Sequence, residues 1–111
     1  MSSLKDTAKS LGLWNMFLAK GHYSQGAGFT NLEYGLMCEQ FGRSRTASEA
    51  TNNAAPDTGN MELLAKYGTE EQKRKWLEPL LRQEIRSCYV REHDGAFCRR
   101  RSLIMVLAGY D

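Results

Sequence analysis

The side chains able to do chemistry are scattered along this chain. Glu33, Glu39, Asp57, Glu62, Glu92 and Asp94 are the acid and base candidates. General acid–base work needs a group held against the reacting proton, and convergence of two of these six is a matter of tertiary structure, not of spacing. Glu33 has a sufficient role as a capping residue, and Glu70 and Glu71 as partners of a helix dipole. No glycine-rich phosphate loop of either standard spacing is present. His22 sits in a glycine-rich stretch and reads as an exposed bystander. Cys88, His93 and Cys98 form a C-x4-H-x4-C pattern, to which Asp94 can add a fourth group. Zinc accepts such ligands, but this is none of its recurrent spacings, so no metal site is expected. Arg99, Arg100 and Arg101, with Arg91 upstream, can attract phosphate, yet one triplet reads as a solvated patch. Neither nucleic acid nor membrane is expected as a partner.

The elements that must position any site centre on residues 53–81. A stop-and-restart signal, Tyr67-Gly68-Thr69-Glu70-Glu71-Gln72, divides two helical runs there. Gly68 suits a left-handed residue just past a helix end. Thr69 suits the next N-cap, with Gln72 reaching back to the cap's own N–H. Glu70 and Glu71 place negative charge at the positive end of the new helix. Trp76, Leu77, Leu80 and Leu81 then fall on one face of a helix over 69–83. Pro56 and Asp57 open the preceding helix, where a missing N–H is tolerated. Gly59 weakens that first turn, so the helix is expected to be firm from Asn60 to Tyr67.

Upstream, Thr30 and Glu33 make a second capping box, starting a helix that runs to Phe41 and ends at Gly42. Leu32, Leu36 and Phe41 lie near one stripe of it, and Cys38 reads as a small buried apolar residue. Leu4, Ala8 and Leu11 recur at helical spacing in the first segment. Residues 13–18 fit a buried irregular segment or more helix. Residues 21–28 are a loop, and 43–53 a loop with a helical turn.

The chain has 111 residues and a net charge of +2, enough for one domain and no strong pull toward polyanions. No apolar run approaches the roughly 20 residues of a membrane span. The N-terminus lacks a secretory core, and the C-terminus is not a peroxisomal address. Three cysteines do not suggest a secreted disulfide framework, so an intracellular, reducing compartment is expected.

Four words carry a family resemblance. Ala55-Pro56-Asp57-Thr58-Gly59-Asn60-Met61-Glu62 and Tyr67-Gly68-Thr69-Glu70-Glu71-Gln72-Lys73 are preceded by Gly12-Leu13-Trp14-Asn15-Met16-Phe17-Leu18 and Gly28-Phe29-Thr30-Asn31-Leu32-Glu33-Tyr34. In this order and spacing they closely resemble the N-terminal helical domain of acyl-CoA dehydrogenases, especially the large-member subgroup. The resemblance runs over roughly residues 4 to 89. It implies an all-α fold, an antiparallel helical bundle of about four helices over 1–90, followed by a divergent, irregular basic and apolar tail over 91–111. It implies the N-terminal domain of an FAD-dependent flavoprotein, an oxidoreductase of fatty acid beta-oxidation that dehydrogenates acyl-CoA at adjacent carbons.

Residue by residue, the resemblance implies substrate-binding roles for Asp57, Thr58, Asn60 and Met61 in the acyl-pocket wall. The other reading makes Asp57 and Thr58 helix caps and Met61 core. Cys88, Tyr89 and Val90 match the strand at the flavin's edge, the implied cofactor-binding residues. The family's Thr-Glu-Pro continuation of that strand is absent, and Arg91-Glu92-His93 stands there instead. No catalytic residue is assigned, because the family's base belongs to a later helical domain. FAD and acyl-CoA are the implied ligands of the intact enzyme, and the fragment alone is expected to be inactive and marginally stable. The alternative is a non-catalytic module that binds acyl-CoA, self-associates as a homo-oligomer or pairs with a full-length subunit. Mitochondrion, peroxisome and cytoplasm all suit such a protein. Residues 102–108, SLIMVLA, carry no charge. They can dock as an improvised strand or helix, or invite pairing with other chains.

Overall fold

The computed structural model describes residues 1–21, 23–92 and 101–107. In order, the elements are α1 (Ser2–Ser10), α2 (Asn31–Phe41), α3 (Ala47–Ala50), α4 (Asp57–Tyr67) and α5 (Glu70–Gln72). A π-helical turn (Lys73–Leu77), α6 (Glu78–Leu81), β1 (Arg86–Glu92) and β2 (Arg101–Leu107) complete them. By contacts the chain divides into two compact units, Met1–Thr58 and Gly59–Asp111.

In the first unit, α1 and α3 are neighbours, joined at the surface by Lys5 and Glu49 at 3.3 Å. Between α1 and α2 the chain is irregular and buried. Met16 and Leu18 are fully enclosed, with Phe17 and Ala19 nearly so. This segment is held by two asparagines in left-handed backbone conformation, Asn15 (φ 56) and Asn52 (φ 57). Asn visits that region more readily than most residues because its short amide bonds locally. The Asn52 side-chain amide donates to the Asn15 side-chain carbonyl at 2.7 Å, and the Asn15 N–H donates to the Thr51 carbonyl at 3.2 Å. Gly26 is required at its position, because a Cβ there would strike the Leu18 backbone carbonyl.

Both capping boxes form. The Thr30 hydroxyl accepts from the Glu33 N–H at 3.2 Å, and the Glu33 carboxylate accepts from the Thr30 N–H at 2.8 Å. Thr69 and Gln72 repeat the exchange at 3.2 and 2.9 Å. Leu77, Leu80 and Leu81 are buried, with Trp76 half-buried, matching the stripe read from spacing. Burying each such leucine is worth about 1.5–3 kcal/mol.

Several local expectations are corrected. Gly68 is not left-handed. Its requirement is space, since a Cβ would stand 2.5 Å from the Leu64 carbonyl oxygen. The helix after Thr69 is not uniformly α. Pro79 lacks an N–H and its ring would crowd the carbonyl four residues earlier, and the widened π turn over Lys73–Leu77 lies across that position. This helix ends at Leu81 rather than Gln83. There Gln83 is left-handed (φ 61), and the N–H groups of Gln83 and Glu84 donate to the carbonyls of Leu80 and Pro79, both at 2.9 Å. That is a Schellman closure made without glycine. α4 is continuous from Asp57 through Gly59, and the Ala55–Pro56 peptide before it is cis.

The apolar stripes of the first two helices are not core. Ala8 is buried, but Leu4 and Leu11 are exposed. On α2 no residue is buried, Leu32 and Leu36 are exposed, and Cys38 is exposed rather than enclosed. A helical period identifies a face, but not whether anything covers it.

The all-α expectation describes residues 2–81. β1 begins where a strand was expected. The tail is not irregular over 101–107, because β2 pairs antiparallel with β1, Cys88 standing opposite Met105 and Glu92 opposite Arg101. An uncharged apolar run containing the β-branched Ile104 and Val106 suits this strand. No helix among the described residues is long and apolar enough to cross a membrane.

Candidate functional site

The start of α4 and the start of β1 meet at Asn60. This residue is in the first two turns of α4 and only 2% exposed. A buried side-chain amide must find partners or lose its hydration uncompensated. Asn60 finds them on β1: its NH2 group donates to the Ser87 hydroxyl at 2.8 Å and to the Cys88 carbonyl at 3.3 Å. The structure therefore joins one substrate-binding candidate to the strand of the cofactor candidates. Both donors of Asn60 are used in doing so, which leaves neither for a ligand.

The remaining candidates differ in access. Met61 is fully buried and fills core. Asp57, at the start of α4, is buried, and Thr58 beside it is half-buried, its N–H donating to the Ala54 carbonyl at 3.2 Å. Of these four, Thr58 presents the most side-chain surface. Cys88 is half-buried and Tyr89 is 49% exposed. Val90 continues β1, opposite Leu103.

FAD requires more than this set supplies. Cys88, Tyr89 and Val90 stand on a strand already paired with β2. A cavity of ≈ 210 Å³ is lined by Gly59, Glu62, Leu63, Lys66 and Tyr67, none of them among the candidates. Small-molecule pockets run from about 300 Å³ upward, so that depression is undersized for a dinucleotide. The described residues do not by themselves fit the whole group.

Among the described residues electrostatics add no acid–base centre. Glu33 is held below its usual 4.5 by the Thr30 N–H and then by the Thr30 hydroxyl, which favour the charged carboxylate. That is capping, not catalysis. Burial pushes the Tyr34 phenol up, with a bond to Cys38 adding to the shift, so it stays protonated. The exposed pair Arg82–Glu84, at 2.7 Å, lowers the Glu84 carboxyl. Among the described residues no three His, Cys, Asp or Glu side chains gather to hold a metal. His22, His93, Asp94, Cys98, Arg99 and Arg100 lie outside the described residues, as does Ala108.

Residues that sequence reasoning passed over are Asn15, Asn52 and Ser87. All are buried, and their partners are remote in sequence.

Comparison with known proteins bears on residues 2–84, which match the family model described as acyl-CoA dehydrogenase, N-terminal domain. The chain is 54% identical over 92 residues to acyl-CoA dehydrogenase family member 10 of Mus musculus, covering 80% of this chain and 9% of that protein. It is 46% identical over 89 residues to acyl-CoA dehydrogenase family member 11 of Homo sapiens, covering 80% and 11%. A solved structure from Mycobacterium abscessus, described as a "putative acyl-CoA dehydrogenase", superposes with a TM-score of 0.71 at 50% identity. That match covers 77% of this chain and 20% of the other. The chain thus spans only about a tenth of the length of the two curated relatives.

Proposed function

Since this chain belongs to the acyl-CoA dehydrogenase family, matching its N-terminal domain, we propose that it serves as the helical wall of the acyl pocket in an FAD-dependent enzyme of fatty acid beta-oxidation. Held in the intact enzyme, the flavin would supply the acceptor for the substrate's β-hydrogen. The contribution of these residues is positional. Thr58 stands nearest the acyl chain, while Asp57 and Met61 shape the wall from inside. Asn60 fixes that wall to β1, whose Tyr89 borders the flavin. The helices take up the family's antiparallel bundle, and the protein works inside the cell; mitochondrion, peroxisome and cytoplasm suit it equally.

What supports this reading is the bonding of Asn60 to Ser87 and Cys88. It couples the two segments that the resemblance assigns to substrate and flavin. The fragment does not catalyse alone, since it provides neither an assigned base nor a complete flavin site. The purified chain is expected to be colourless and to bleach no dye when acyl-CoA is added. A yellow protein that reduces dye with acyl-CoA would overturn the inactivity of the fragment.

A second reading is favoured by Leu32 and Leu36, 76% and 62% exposed on α2. Exposed leucines one helical turn apart suit a face covered in an assembly. The chain then pairs with an intact dehydrogenase subunit, and co-purification of the two at micromolar concentration is the expected result.

A further inference from the structure

We propose that β2 is a self-association edge, through which two copies of this chain pair antiparallel about a two-fold axis at Ile104. Among the described residues the two-stranded sheet gives each strand one neighbour, so there β2 keeps a second backbone edge whose N–H and C=O groups suit another strand. The two strands differ in how such an edge is protected. β1 carries Arg86, Arg91 and Glu92, and its Cys88 carbonyl already accepts from Asn60 at 3.3 Å. β2 carries one charge, Arg101, at its beginning; Ser102 to Leu107 hold no charge, glycine or proline. Charged residues and proline are the usual guards of a sheet edge, and β2 lacks them over six successive residues. It also lies beyond residues 2–84, which match the family.

Charge selects the occupant and its direction. A parallel, in-register pair would set Arg101 beside Arg101 at about 4.8 Å, where like charges repel. Antiparallel pairing over the full strand is centred on Ile104. It places Arg101 opposite Leu107, Ser102 opposite Val106 and Leu103 opposite Met105. The two Arg101 residues then lie about 20 Å apart, beyond a Debye length of about 8 Å. A second copy therefore satisfies the edge with no like-charge pair, and the contact is isologous and closed. Each Arg101 still stands opposite Glu92 of its own hairpin.

Sedimentation velocity on the full chain at about 1–100 μM, the range in which modest interfaces populate a dimer, is expected to show one. Ile104→Lys and Ile104→Glu each oppose like charges at the two-fold axis. Each alone is expected to weaken dimerisation about tenfold or more, the consequence of roughly 1.4 kcal/mol. An equimolar mixture is expected to recover the dimer as a Lys–Glu heterodimer. A wild-type monomer throughout, a mixture that stays monomeric, or open-ended aggregation would each overturn the proposal. Cross-linking provides a readout that does not depend on charged variants. With Cys38, Cys88 and Cys98 changed to Ser, Ile104→Cys is expected to form a disulfide with itself, because opposed Cα atoms lie about 4.5–5.5 Å apart. Ser102→Cys is expected to cross-link with Val106→Cys and not with itself. Self-linking of Ser102→Cys would mean parallel pairing and would also overturn it.

Discussion

Asn60 makes one side chain answer two questions. Its amide lies 2.8 Å from the Ser87 hydroxyl and 3.3 Å from the Cys88 carbonyl, and the residue is 2% exposed. The residue type was conspicuous within the Asp57-Thr58-Gly59-Asn60-Met61 word, but its partners lie 27 and 28 residues away. Removing the amide deletes both bonds inside a buried site, a loss worth about 1–3 kcal/mol. Asn60→Ala is therefore expected to lower the free energy of unfolding, measured by chemical denaturation, by that amount. Unchanged stability would mean that these bonds do not hold α4 to β1. Met61, beside it, illustrates a different limit. Substrate contact and core filling were both open from sequence, and the side chain is completely buried, a fact that only packing with distant residues could settle.

At the scale of elements, the helix starts were the most legible features. Thr30 with Glu33, and Thr69 with Gln72, name local bonds between residues three apart, and both boxes form. The Glu33 carboxyl is lowered from 4.5 by bonds that form on folding, so its contribution to stability is full above that value. It is lost as pH falls through the lower folded value. NMR titration of the Glu33 carboxyl carbon is expected to give a midpoint below 4.5. Thr30→Ala is expected to return that midpoint toward 4.5, and removal of the cap should cost about 1 kcal/mol. A titration unaffected by Thr30→Ala would place the cause elsewhere. Helix ends were less legible. The closure at Gln83 uses a non-glycine residue in left-handed backbone, and the π turn before Pro79 answers a crowding that composition does not display.

At the scale of the whole molecule, exposed apolar side chains decide behaviour. Leu32 and Leu36 on α2, with Leu63 and Tyr67 on α4, are 76%, 62%, 45% and 71% exposed. Such surface favours association and binding of hydrophobic dyes. The wild-type chain is expected to bind anilinonaphthalene sulfonate and to melt broadly. Leu32→Gln with Leu36→Gln should reduce dye fluorescence while changing stability by less than about 0.5 kcal/mol, as surface changes usually do. A loss of several kcal/mol would show that α2 is covered in solution.

What the sequence determined by itself was whatever depends on neighbours along the chain: the caps, the break between Tyr67 and Glu70, and the four words that resemble acyl-CoA dehydrogenases, through which the start of β1 was expected. Tertiary structure alone decided the rest. The Asn52–Asn15 bond spans 37 residues, and β2 takes its place beside β1 across residues 93–100. A periodic pattern specifies which side chains share a face, but burial requires a second surface brought there by chain closure. That is why Leu77 and Leu80 became core while Leu32 and Leu36, equally periodic, did not.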